Sequence, residues 1–95
     1  MEVAVRFSGP LRVLAGRQDL TLSLADGGTL RDLLHTLHDV LPPPFVEQIL
    51  TPLQTSAGPL ALMLVNRAHP RGSTDLDRPL AEGDVVVFVP PMAGG

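Results

Sequence analysis

The chain has 95 residues, 44% of them apolar and only 3% aromatic, with a net charge of −3, no cysteine, and seven basic residues that are all arginine. That length supports one domain around one modest aliphatic core. Scattered arginines, a negative balance and the scarcity of aromatic rings exclude a phosphate-backbone or base-stacking surface. The lack of cysteine excludes a disulfide framework, a thiolate metal site and a cysteine nucleophile.

Val3, Val5 and Phe7 alternate with Glu2, Ala4 and Arg6, the period of a strand with one buried face. There is no signal-peptide profile ahead of it, and no apolar stretch approaches membrane-spanning length, which sets the expectation of a cytoplasmic protein. Residues 11–16 predict a turn of helix, apolar at Leu11 and Leu14 and closed by Gly16. Leu20, Leu22 and Leu24 then alternate with Thr21 and Ser23, the second half of a hairpin-like pair. After the turn Asp26-Gly27-Gly28, Thr29 stands three residues before Asp32, a capping box with Asp in place of Glu. Leu30, Leu33, Leu34, Leu37 and Leu41 follow on one helical stripe, sized to cover a sheet.

Pro42-Pro43-Pro44 ends that helix, and Phe45, Val46, Ile49 and Leu50 predict a short second one before Pro52. Residues 60–65 form a continuous apolar run, expected as a central strand. Asn66 suits a positive φ. Residues 67–77 are polar and broken by Pro70 and Gly72, and Leu80-Ala81-Glu82-Gly83-Asp84 is a turn into the last strand, Val85 to Val89. Strand, strand, helix, strand, short elements, strand is an α+β order. One main helix on one face of a mixed sheet, with the first and last strands adjacent, is the β-grasp architecture. The whole chain, 1–95, reads as one such domain with an extended tail at 90–95.

Side-chain chemistry is sparse. With the leucine stripe at 0°, His38 lies near about 80° and His35 near about 140° around the helix, so both are expected to face solvent, and no tetrahedral ligand set is completed. His69 lacks any nucleophile signature, Asp75 and Asp77 read as solvated loop carboxylates, and Asp26-Gly27-Gly28-Thr29 lacks a phosphate-loop pattern. No bound cofactor and no metal site are expected.

The tail Pro90-Pro91-Met92-Ala93-Gly94-Gly95 is different. Two prolines cannot continue a ladder and leave it as a stiff extended stalk. Six extended residues reach at most about 20 Å, and glycines at the tip can thread a narrow channel. At an average glycine usage of about 7%, a Gly-Gly end arises by chance in roughly one chain in 200. A terminal carboxylate, pKa about 3.3–3.7, is ionised and a poor electrophile. It becomes reactive only when another protein activates it, so the chain reads as a substrate and carrier. In the last strand, Val86 and Phe88 are expected in the core. Val85, Val87 and Val89, with Met92, are expected on the open sheet face as a docking patch.

Phe7, Leu11-Arg12, Leu14-Ala15-Gly16, Val65-Asn66 and above all Pro79-Leu80-Ala81-Glu82-Gly83-Asp84-Val85-Val86-Val87-Phe88-Val89 with its Pro-Pro and Gly-Gly ending resemble the small subunits of molybdopterin synthase. These are β-grasp sulfur carriers akin to ubiquitin and to the thiamin sulfur carrier. The resemblance implies a non-catalytic carrier in molybdenum cofactor biosynthesis. An E1-like enzyme would use ATP to adenylate the Gly95 carboxylate, and sulfur transfer would make it a thiocarboxylate. The large synthase subunit would receive it, with Gly94, Ala93, Met92, Pro91 and Pro90 threading that partner and Val89, Val87 and Val85 against it. A carrier for thiamin or tRNA thiolation shares this chemistry. A ubiquitin-like modifier, or a docking module whose tail is never activated, remains the reading from another class. A ubiquitin-like protein with no lysine offers no side chain for building an isopeptide-linked chain.

Overall fold

The computed structural model describes residues 1–51, 63–66 and 76–89. Four strands, β1 (Glu2–Phe7), β2 (Asp19–Ser23), β3 (Met63–Val65) and β4 (Val85–Phe88), form one sheet in the order β2-β1-β4-β3. β1 runs antiparallel to β2 and parallel to β4, and β4 runs antiparallel to β3. The first and last strands therefore lie side by side in the middle, as the element order predicts, and the mixed sheet with its helix is the β-grasp fold.

Helix α1 (Leu11–Ala15) is a single short turn closed by Gly16 at φ 74°, a left-handed position that favours glycine. Helix α2 (Leu30–Val40) starts with a complete capping box: Asp32 N–H donates to Thr29 Oγ1 at 3.2 Å, and Thr29 N–H donates to Asp32 Oδ2 at 2.9 Å. Its five-leucine stripe is buried throughout, ending at Leu41. These leucines share one core with Val3, Val5, Phe7, Leu22, Met63, Val65, Val86 and Phe88 from the sheet.

The proline-rich segment is part of that core. Pro43 opens a short helix, α3 (Pro43–Phe45), where its missing N–H costs no bond. It runs into a π-helical turn, Val46–Leu50, closed by Thr51 N–H donating to Val46 O. The wide turn lets Phe45, Ile49 and Leu50 all point inward. Phe45 stands edge-on to both Phe7 and Phe88, at ring-centroid distances of 5.1 and 5.3 Å, while Phe7 and Phe88 stack at 5.8 Å. All three phenylalanines of the chain thus meet in one cluster, and each such pair adds about 0.5–1.5 kcal/mol beyond burial of its area.

Three expectations need correction. β3 takes an outer position among the described strands, not a central one. Its continuous apolar run arises because Leu64, on the open face, is half-buried beside Val87. His38 is half-buried rather than solvent-facing, because it borders the buried Leu34 and Leu37 on α2. Asp77 is not a free carboxylate: Arg31 on α2 donates to it from Nε at 2.8 Å and from Nη2 at 3.4 Å. The pair, together with the Leu80 N–H to Gly28 O bond of 2.8 Å and the bridge between Thr29 and Pro79, ties the segment before β4 to the start of α2.

The hydrogen bonds from Arg31 hold the Asp77 carboxyl below its usual value. Because the folded value lies below the unfolded one, the pair stabilises the fold above the ordinary carboxylate range and the contribution is lost as pH falls through the folded value. Asp77→Asn should therefore lower Tm slightly at neutral pH and low salt, and the difference from the parent should vanish in acid and in high salt. A difference that persists in acid would refute the pairing as its cause. Phe88→Ala and Phe45→Ala should each cost about 3–5 kcal/mol in urea unfolding. A cost for Phe45→Ala as small as that of a surface change would detach the proline-rich segment from the core.

Candidate functional site

Strand β4 has two different faces. Val86 and Phe88 are fully buried, whereas Val85 and Val87 are half-buried on the opposite side, as alternation requires. The register sets their neighbours: Ala4 opposite Val85, and Arg6 and Leu64 on either side of Val87. Farther out, β2 contributes Thr21 beside Ala4 and Asp19 beside Arg6. The open face is thus apolar over β4 and β3 and polar over β2.

Arg6, Leu64, Asn66, Val85 and Val87 line a shallow depression of about 330 Å³ on the apolar half. Asn66, at φ 49°, builds its wall. Its Nδ2 donates to Asp84 Oδ1 at 2.9 Å, and its Oδ1 accepts from Val85 N–H at 2.9 Å. The other Asp84 oxygen accepts from Ala81 N–H at 2.8 Å, and Gly83 at φ 84° completes that turn. The two side chains therefore lock the 81–84 turn onto the end of β3 and fix where β4 begins.

Of the residues expected to function, Val85, Val87 and Val89 are half-buried. Gly95, Gly94, Ala93, Met92, Pro91 and Pro90 lie outside the described residues, as do His69 and Asp75. Arg6, Leu64 and Asn66 were not singled out as site residues from sequence. The signal for Arg6 was present, since it alternates with the buried Val5 and Phe7. Leu64 was hidden inside an uninterrupted apolar run. Among the described residues no three His, Cys, Asp or Glu side chains converge as a metal site, and Asp26 to Thr29 forms the turn and helix cap read from sequence.

The depression therefore offers an apolar floor, one guanidinium and one clamped amide. It lies on the same strand that the sequence extends directly into Pro90.

The ThiS family model matches residues 5–95, nearly the full chain. No curated protein matches. Among solved structures, the chain is similar to a putative molybdopterin converting factor subunit 1 from Pyrococcus furiosus, with 21% identity, 97% of this chain and 99% of that one covered, and a TM-score of 0.69. It is similar to a chain in the complex of subunits 1 and 2 of the molybdopterin-converting factor from Helicobacter pylori 26695, with 25% identity, complete coverage of both chains and a TM-score of 0.63. It is also similar to small archaeal modifier protein 1 from Methanosarcina acetivorans, with 26% identity, 99% and 96% coverage and a TM-score of 0.67. With the sheet order and capped helix in agreement with a family model that covers residues 5–95, the chain belongs to the ThiS family and is a ubiquitin-like β-grasp protein, a sulfur carrier or modifier.

Proposed function

We propose that the chain is the sulfur carrier of molybdopterin synthesis, working in the cytoplasm. In this reading the Gly95 carboxylate attacks the α-phosphorus of ATP on an E1-like enzyme, pyrophosphate leaves, and an acyl adenylate forms. A sulfur nucleophile then displaces AMP, leaving a thiocarboxylate. The large synthase subunit receives the tail, and the sulfur passes to a pterin precursor. No cofactor is held by the carrier itself, and ATP belongs to the activating enzyme.

The observation that carries the reading is the continuity of residues 79–95, in which a fixed turn and a half-buried apolar strand lead straight into Pro-Pro and Gly-Gly. The likeness to a chain in the complex of subunits 1 and 2 of a converting factor supports a large-subunit partner. The Val85, Val87 and Leu64 surface is the docking face. A second reading, a protein modifier that joins Gly95 to amines of other proteins, draws support from the likeness to small archaeal modifier protein 1.

Incubation with ATP, an E1-like enzyme and a sulfur donor tests the choice by intact mass. An oxygen-for-sulfur exchange at Gly95 is the expected product. Higher-mass conjugates would move the chain to the modifier class, and an unchanged mass would refute activation. Deleting Gly94 and Gly95 should abolish transfer while changing stability by less than about 0.5 kcal/mol. Val87→Gln should weaken binding of the large subunit by about 1 kcal/mol or more, roughly fivefold, with the thermal transition little changed. Equal affinity of variant and parent would remove the open face from the interface.

A further inference from the structure

We propose that this chain is built as an acyl donor that cannot serve as an acyl acceptor, so an activated Gly95 can be drawn off only by a nucleophile on a different kind of molecule. The proposal rests on the carrier reading above.

An activated C-terminal carbonyl is open to any amine or thiol held near it, and a tethered group on the same molecule acts at a high effective concentration, of order millimolar for a short flexible link. This chain has removed those groups from its side chains: it contains neither lysine nor cysteine. Its positive charge is carried instead by seven guanidinium groups. A guanidinium group offers no lone pair to a carbonyl carbon. Serine and threonine hydroxyls are weak nucleophiles without a base beside them. An acyl group on a histidine is an acylimidazole, which water cleaves.

At Arg12 and Arg17 packing does not force the choice of arginine, although Arg31 uses two of its nitrogens on Asp77. Arg17 is exposed and makes no hydrogen bond or ion pair among the described residues. Arg12 is exposed and reaches only Gly9 O, at 3.4 Å. A lysine would fit at either place, so what its absence changes is chemistry rather than folding.

The α-amine of Met1 is engaged by the fold. It donates to Leu24 O at 2.6 Å and lies 3.8 Å from the Asp26 carboxylate. The Met1 carbonyl in turn accepts from Leu24 N–H at 2.8 Å. The Met1 side chain is only 6% exposed and packs against the core, close to Gly28. Acylation of this nitrogen requires withdrawing it from the Leu24 carbonyl and the Asp26 carboxylate, and Met1 from the core edge.

The test uses the full chain carrying a chemically prepared alkyl thioester at Gly95, so no activating enzyme is involved and a failure of the carrier reading cannot be mistaken for a failure here. In self-acylation an amine nitrogen would bond to the Gly95 carbonyl carbon, the C–S bond would break, and the thiolate would leave with the proton released by the amine. Concentrated samples of the parent and of Arg17→Lys are held at mildly alkaline pH and followed by intact mass and peptide mapping. The parent should yield only the hydrolysed monomer, whereas Arg17→Lys should yield amide-linked dimers and larger species, or a cyclised monomer, joined at the substituted position. Amide products at Met1 of the parent would overturn the proposal. So would an Arg17→Lys variant that forms no adducts, since the missing amines would then not be what protects the chain.

Discussion

The parallel pairing of β1 with β4 is the constraint on which the rest of the structure depends. It places Ala4 beside Val85 and Phe7 beside Phe88, joining the two ends of the chain at the centre of the sheet. Every other element is attached to this pair. β2 and β3 extend it on either side, α2 buries its leucine stripe against its inner face, and Phe45 caps the Phe7–Phe88 stack. Backbone bonds from Ala4 N–H to Asp84 O and from Ser8 N–H to Phe88 O close the pairing at both ends.

That arrangement also explains where the open apolar surface lies. A single main helix covers one sheet face, and alternation along β4 then divides its side chains between a sealed core and an open surface. The neighbours of β4 decide the character of that surface. Ala4, Leu64 and the valines make it apolar near β4, and Thr21, Ser23 and Asp19 make it polar near β2. The clamp between Asn66 and Asp84 fixes where the last strand starts.

Local patterns were legible in the sequence because they depend on neighbours a few residues apart. The alternation of Val3, Val5 and Phe7, the Thr29 and Asp32 capping box, the left-handed Gly16 and Asn66, and the burial of Val86 and Phe88 all follow from such spacing. Contacts between distant segments were not legible. Nothing near Arg31 announces Asp77, nothing near Phe45 announces Phe7, and the run around Leu64 reads the same whether a strand is flanked on both sides or lies at the margin. For the site, the valine face and the outward side of Arg6 were visible, but that Arg6 and Asn66 stand around the valines was not, since no single stretch encodes the register between strands. Residues 90–95, where the chemistry is read, lie outside the described region.

The central pairing joins positions as far apart as Ala4 and Val85, so the interior cannot be sealed until nearly the whole polypeptide exists. Such long-range closure slows folding. It also means that a copy halted or clipped during synthesis before the last strand lacks both the cover for Val3, Val5 and Phe7 and the valine surface itself.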